Sequence, residues 1–473
     1  MSHSIKSGAR SRLLSRAAGA ALLAGAALAT DLLAQTPPTR RPPVTQPPTT
    51  RPTPARTPAR RAAARDTVPV RDANLATRVA HVRKLLRASP LVDGHNDLPW
   101  AMRNDAKNPL DVVAYNLRRT TTGMTDISRL RRGMVGGQFW SVYIPGEVRD
   151  SGYARVQLEQ IDIAKRTIER YPDVFVPALT AADARKAFLD GKIGSLLGME
   201  GGHAIENSLG ALRAYHDLGV RYMTLTHNVT LDWADAAMDS ARHGGLTAFG
   251  KEVVREMNRL GMLVDLSHVS PGTMSDALDV AAAPVIFSHS SARAVADVPR
   301  NVPDSILQRL PRNGGVVMVT FVPGFISQAV VDYERGITRM RDSITRANPG
   351  DNDAVFKAVA GYRAANPSPK ATIGDVADHL DHLKRVAGPA HVGIGGDFDG
   401  ITETVVGLED VSTYPTLLAE LVRRGWTDAQ LRGLAGENVL RALREAELVS
   451  ARLRKTRPAS TKTILQLDGK RMQ

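Results

Sequence analysis

The chain has no cysteine among its 473 residues. That excludes disulfides, thiolate metal sites and a lipid-modified N-terminal cysteine. A metal, if one is bound, must be held by His, Asp or Glu. The lack of cysteine leaves the compartment open, an oxidising one included. Long hydrophobic runs are also missing. Residues 17–29 are apolar, but a membrane-spanning helix needs about 20 such residues. Residues 451–473 hold no hydrophobic segment, so neither a GPI-type signal nor a transmembrane C-terminus is expected. Finally, the central part of the chain lacks excess charge. The formal net charge is +14, but residues 1–72 carry 12 Lys/Arg against 3 Asp/Glu, and residues 451–473 carry 7 against 1. Residues 73–450 are left at −1. The basicity therefore sits in two tails, and no nucleic-acid partner is expected. Tail charge can give weak electrostatic contact with an anionic membrane or cell-wall surface. The plainer reading is a pair of solvated ends.

The tails have their own organisation. Lys6, Arg10, Arg12 and Arg16 precede the small-residue apolar run, and Ala27-Leu28-Ala29 and Leu32-Leu33-Ala34 resemble cleavage sites. Residues 1–34 are read as a signal peptide, with an uncleaved N-terminal anchor as the alternative. Export to a periplasm or the cell exterior is expected. Residues 35–72 form a Pro/Thr/Arg-rich linker, with ten of the 28 prolines in 35–70. Such a composition cannot build a core and favours extended chain. Residues 73–450 are expected to be the folded domain, and 451–473 a flexible basic tail.

Within 73–450, apolar runs of strand length fall at 91–95, 137–144, 193–199, 221–227, 262–268, 284–289, 315–322 and 391–397. Continuous apolar strands suit a buried parallel sheet. Amphipathic segments lie between them, at 156–171, 209–218, 247–260, 305–310 and 373–386. Eight strands alternating with helices predict an α/β fold, a (β/α)8 TIM barrel; a doubly wound open sheet is the runner-up. The barrel is preferred because ligand-type residues end several different strands, and in a barrel those ends share one face. Residues 325–368 break the rhythm and are read as a helical insertion after the seventh strand, at the rim or as a lid. Residues 413–423, 427–434 and 439–448 are read as C-terminal helices outside the barrel.

The first strand ends in His95-Asn96-Asp97. Residues i and i+2 of a strand point the same way, so imidazole and carboxylate can converge on one cation. Glu200 ends the third apolar run; a charge there is costly unless paired or metal-bound. Ser267-His268 and Ser288-His289 close two successive strands. Five N/O ligands exceed what one tetrahedral zinc takes, and two metals sharing a carboxylate need about this number. Such pairs lie about 3.5–4 Å apart and clamp a shared hydroxide. Asp397 ends the last strand and is placed for proton transfer; Asp399 is the competing assignment. His227, after the fourth run, can polarise a carbonyl or steady an oxyanion. Arg300 could hold a substrate carboxylate by a two-pronged contact, although spacing alone reads it as a surface arginine.

Residues 91–100, 198–205, 221–227, 265–270, 287–292, 300–303 and 391–400 together resemble the membrane dipeptidase family, also called renal dipeptidase or peptidase family M19. These are zinc enzymes of the amidohydrolase-like barrel group. The resemblance spans roughly 75–450, in order. It implies one zinc on His95 and Asp97, a second on His268 and His289, and Glu200 bridging them. It implies substrate binding by His227, Arg300 and Asp397, with Asp397 also acting in proton transfer. The implied activity is dipeptide hydrolysis, tolerant of a D-residue at the C-terminal position and extending in some members to β-lactams. The family's mammalian members are lipid-anchored and disulfide-linked; neither property is expected here. Homodimers are common in the family, so a second copy is among the expected partners. Two other readings stand beside this one. The same site would serve an N-acyl amino acid deacylase or a lactonase. A barrel of this kind could also be a catalytically silent envelope-binding module.

Overall fold

The computed structural model describes residues 74–146 and 152–469. The expected signal peptide and linker lie outside the described residues. Among the described residues, nine strands form one parallel sheet: β1 (Leu91–Asn96), β2 (Val135–Ser141), β3 (Phe175–Pro177), β4 (Ile193–Glu200), β5 (Val220–Thr224), β6 (Leu263–Asp265), β7 (Val285–Phe287), β8 (Val316–Val319) and β9 (Val392–Ile394). The pairing runs β2–β1–β9–β8–β7–β6–β5–β4, and a further β2–β4 ladder closes it into a ring of eight. This is the (β/α)8 barrel that the apolar runs predict. β3 stands outside the ring and pairs only with the start of β4, Phe175 opposite Ile193. Sequence reading misses it because it is three residues long, partly exposed and ends in Pro177.

The strands are apolar on both faces because both are covered. One apolar cluster takes Leu197, Met199, Met223, Val264, Phe287 and Val317. A second takes their chain neighbours Leu196, Tyr222, Leu263, Ile286, Val316 and Met318. Alternate residues of one strand thus serve opposite faces.

The longer helices are α1 (Leu75–Leu86), α2 (Tyr153–Arg170), α3 (Ala181–Leu189), α4 (Leu209–Asp217), α5 (Ala248–Leu260), α6 (Pro271–Val280), α7 (Gln328–Ala347), α8 (Asn352–Ala365), α9 (Ile373–Val386), α10 (Tyr414–Arg423) and α11 (Asn438–Thr456). α5 shows why they form where they do. Thr247 caps its first turn by accepting from the Gly250 N–H, and Phe249, Val253, Val254, Met257 and Leu260 bury one stripe. Thr372 and Asp375 make a reciprocal capping box at α9. Residues 334–366, the bulk of the expected insertion, fall in a different compact unit from the barrel. They comprise most of α7, a turn, and α8, whose first turn Asp351 caps. Arg363 and Glu334 pair across it at 3.2 Å.

One expectation is corrected. Residues 451–473 were expected to be a flexible tail, but α11 runs to Thr456 and a further helical turn covers Ile464–Asp468. Ile464 is fully buried. Asp468 accepts from Thr247 Oγ1 (2.6 Å) and the Phe249 N–H (3.2 Å), supplementing the cap of α5. Arg457 reaches the buried Glu252 at 2.5 Å, and the Ser460 carbonyl accepts from Arg213 at 2.9 Å. Composition misled here because the basic residues flank a few decisive contacts.

Candidate metal centre

The residues that end the barrel strands come together on one side of the ring. Glu200, the last residue of β4, lies among four histidines. Its Oε1 is 2.9 Å from His268 Nε2 and 3.3 Å from His289 Nε2. Its Oε2 faces the other way, 3.5 Å from His95 Nε2. Asp97 Oδ2 lies 3.2 Å from the same His95 nitrogen, and Asp397 Oδ1 lies 4.0 Å from it. His227 Nε2 is 3.9 Å from Glu200 Oε1. The ligand-type atoms fall into three overlapping groups: His95/Glu200/His289, Glu200/His227/His268 and His95/Asp97/Asp397. Two glycines make the approach feasible. A Cβ on Gly400 would lie 2.3 Å from Asp97 Oδ2 and 2.7 Å from Asp397 Oδ1. A Cβ on Gly198 would lie 2.0 Å from the Tyr222 ring.

The outward nitrogen of each histidine fixes which nitrogen faces the site. His95 Nδ1 is 2.8 Å from Tyr222 Oη, whose own hydrogen goes to the Gly94 carbonyl at 3.2 Å. His268 Nδ1 is 3.1 Å from Asn228 Oδ1. His289 Nδ1 is 2.8 Å from Ser288 Oγ, whose hydrogen goes to Asp265 at 2.6 Å. In each pair the imidazole Nδ1 is the donor, and at His268 and His289 the neutral ring turns a lone pair on Nε2 inward. The Nε2 atoms of His268 and His289 are 2.9 Å apart. Two lone pairs cannot bond to each other, and a cation between them removes the conflict. His95 Nε2 and Asp97 Oδ1 are likewise buried with no hydrogen-bond partner, each costing about 1–3 kcal/mol if left so. These residues fit a pair of divalent cations, and the His/carboxylate donor set suits zinc.

The electrostatics agree. Burial would raise the Glu200 carboxyl, but His95, His227, His268 and His289 hold it well below the usual range. Burial holds His268 and His289 well below the ordinary imidazole value, with Arg300 adding to the effect at both. Burial alone would lower His95, yet Tyr222, Asp97 and Glu200 hold it well above. The pocket draws positive charge to that side. Asp397 is pushed well above the carboxylate range by burial, with Asp97 and Glu200 adding and His95 opposing.

The family model for membrane dipeptidase (peptidase family M19) matches residues 79–457. Dipeptidase 3 of Rattus norvegicus is 43% identical over 370 residues, covering 77% of this chain and 67% of that one. The chain belongs to the membrane dipeptidase family. Dipeptidase 3 of Mus musculus is 42% identical over 370 residues, with 77% and 66% covered, so this chain spans about two thirds of those relatives. A metallopeptidase from Rhodobacter sphaeroides, solved with a phosphinate mimic of L-Ala-D-Ala, is 26% identical with a TM-score of 0.62, covering 76% and 99%. The probable dipeptidase PvdM from Pseudomonas aeruginosa shares the fold at a TM-score of 0.68 and 24% identity, covering 79% and 99%. The family match runs past 450 into the segment expected to be a tail.

Within this metallopeptidase family the remaining candidates fall as follows. Asp397 borders the cluster, whereas Asp399 accepts from the Met124 N–H at 2.6 Å and is absent from the ligand groups. Both have positive φ, 64° and 65°, as does His268 at 65°; at Asp397 and His268 such backbone is strain of the kind found where side chains must be aimed. Burial pushes Asp399 up to about 6. Arg300 is not a surface arginine: it is 2% exposed. It donates to Ser290 Oγ (3.2 Å) and the His289 carbonyl (3.3 Å), and stands over the Phe325 ring. Its Nε is buried without a hydrogen-bond partner. Burial lowers it to about 10, still protonated at neutral pH. Sequence reasoning missed Tyr222, Asn228, Asp265 and Ser288. Asp265 carried a signal, a carboxylate in the middle of the apolar run 262–268. Tyr222, in an apolar strand, carried none.

Proposed function

We propose that this chain is a binuclear zinc dipeptidase that hydrolyses short peptides with a free C-terminal carboxylate. The observation that carries the reading is the split of Glu200, with Oε1 toward His268 and His289 and Oε2 toward His95. That split suits a carboxylate shared by two cations: His95 and Asp97 would hold one, His268 and His289 the other. When bound, two zinc ions would acidify a shared water and polarise the scissile carbonyl. Arg300 pairs with the substrate carboxylate, its buried guanidinium favouring a charged partner. His227 steadies the developing oxyanion. Asp397, beside His95 and Asp97, takes the proton of the attacking water and passes it to the leaving amine. Tolerance of a D-residue at the C-terminal position is part of the proposal, and the Rhodobacter relative's dipeptide mimic supports it. The N-terminal sequence supports export. Among the described residues no helix is long and apolar enough to cross a membrane.

The test is turnover of Gly-D-Ala, Gly-L-Ala, an N-acyl amino acid and a lactone by zinc-loaded protein. Hydrolysis of the dipeptides at a kcat/KM at least tenfold above the others supports the proposal. Preference for the acyl amino acid or lactone would reassign the site, and no hydrolysis of any would leave a silent barrel.

A further inference from the structure

Asp265 lies at the end of β6, fully buried, and is absent from the ligand groups of the candidate centre. Four donors converge on it. Its Oδ1 accepts the backbone N–H of Ser267 (3.1 Å) and of Ser288 (2.8 Å). Its Oδ2 accepts the hydroxyls of Thr224 (2.5 Å) and Ser288 (2.6 Å). Ser288 Oγ in turn lies 2.8 Å from His289 Nδ1. A hydroxyl has one hydrogen to give. Because a carboxylate only accepts, the Ser288 hydrogen is committed to Asp265. What Ser288 then offers His289 is a lone pair, which demands a hydrogen on Nδ1. His289 Nε2 is left bare, facing Glu200 at 3.3 Å.

We infer that Asp265 is a positioning residue that sets the tautomer of His289, and through it the metal affinity of the His268/His289 side. The inference rests on the proposed zinc centre. It has an unusual consequence for the isosteric change Asp265→Asn. The two backbone N–H groups at Oδ1 require an oxygen there, so the amide NH2 must take the Oδ2 place. It then donates to Ser288 Oγ instead of accepting from it. The Ser288 hydroxyl reverses and donates to His289 Nδ1. The hydrogen of His289 moves to Nε2, where it blocks a cation.

The experiment is zinc retention against a chelator series, measured on the full chain as wild type, Asp265→Asn, Ser288→Ala and the double variant, with thermal melts alongside. Loss of an outer partner costs about 10–100-fold in metal affinity. Asp265→Asn is expected to weaken one of two zinc ions toward the upper end of that range. Ser288→Ala, which only frees the ring, falls at the lower end. In the double variant the reversed hydroxyl is gone, so zinc retention recovers to the Ser288→Ala level. A purely structural Asp265 would make the double variant the worst of the three, and that ordering overturns the inference. Wild type that retains no zinc overturns instead the reading on which it rests. A second readout does not depend on the variants: long-range proton–nitrogen correlations on metal-free wild type should show the His289 hydrogen on Nδ1. A hydrogen on Nε2 overturns the inference.

Discussion

Tyr222 Oη lies 2.8 Å from His95 Nδ1, and it reaches there only because Gly198 has no side chain in the way of the ring. The phenol spends its hydrogen on the Gly94 carbonyl and so accepts the imidazole's. This orients His95 toward Asp97 and Glu200. Tyr222→Phe keeps the ring's packing and removes the acceptor. Zinc affinity at the His95 side is expected to fall about 10–100-fold, with a stability loss of about 1–3 kcal/mol. Chelator competition and a thermal melt check both numbers. Zinc retention equal to wild type would mean that the phenol does not orient His95.

Arg300 is expected to read the substrate carboxylate. Arg300→Met removes the charge while keeping much of the stem. For a dipeptide, kcat/KM should drop on the order of 10²-fold or more, as expected when one partner of a buried charge pair is lost. For the same dipeptide as its C-terminal amide, which offers no carboxylate, the drop should be under about tenfold. Equal losses on both substrates would reduce Arg300 to a packing residue beneath Ser290 and Phe325.

Removal of residues 457–473 should destabilise the barrel without touching the metal centre. The deletion exposes the pocket of Ile464, a side chain whose burial contributes about 1.5–3 kcal/mol. It also removes Asp468 from the α5 cap, where such a contact contributes about 1 kcal/mol. Urea unfolding should show a loss of a few kcal/mol, while zinc stoichiometry stays unchanged. A truncated chain as stable as the full one would restore the flexible tail.

Stability should also depend on pH through His379 on α9. Its Nδ1 accepts the Ala292 N–H at 3.0 Å and its Nε2–H donates to the Ile326 carbonyl at 2.9 Å, so the folded ring is neutral. Burial lowers it to about 4, from an ordinary value of 6.5. The unfolded chain therefore binds the extra proton first. Stability is full above 6.5 and falls as pH drops toward 4, by about 1.4 kcal/mol per unit at most. Below about 4 this contribution levels off. The check is the difference in urea stability between pH 7.5 and 4.5 for wild type and for His379→Gln. The variant should lose about 2–3 kcal/mol less over that interval. Equal losses would show that His379 is not the group titrating.

Much of this was legible in the sequence because barrel strands are buried on both faces. Runs such as 193–199 and 262–268 are mostly apolar, with Ser195 and Asp265 as interruptions, and each passes into Glu200 or His268 where it leaves the sheet. That makes Glu200 and His268 visible as strand ends. What was not legible depends on partners distant in sequence. Tyr222 sits 127 residues from the histidine it orients. Arg300 reads as a surface arginine until the 290–302 loop folds it beneath the site. The C-terminal strap escaped because individual contacts, not composition, hold it, among them Ile464 in its pocket, Asp468 on α5 and Arg457 on Glu252.

The central claim is that Glu200 is shared by two cations. Zinc titration of metal-free full-length protein by calorimetry, on wild type and Glu200→Gln, tests it most directly, with Gly-D-Ala hydrolysis followed at each point. Two zinc per chain in wild type are expected, with activity appearing as both sites fill. Glu200→Gln should weaken both sites together and abolish turnover. One zinc per wild-type chain, or a variant that weakens a single site and leaves the other intact, would contradict the shared carboxylate.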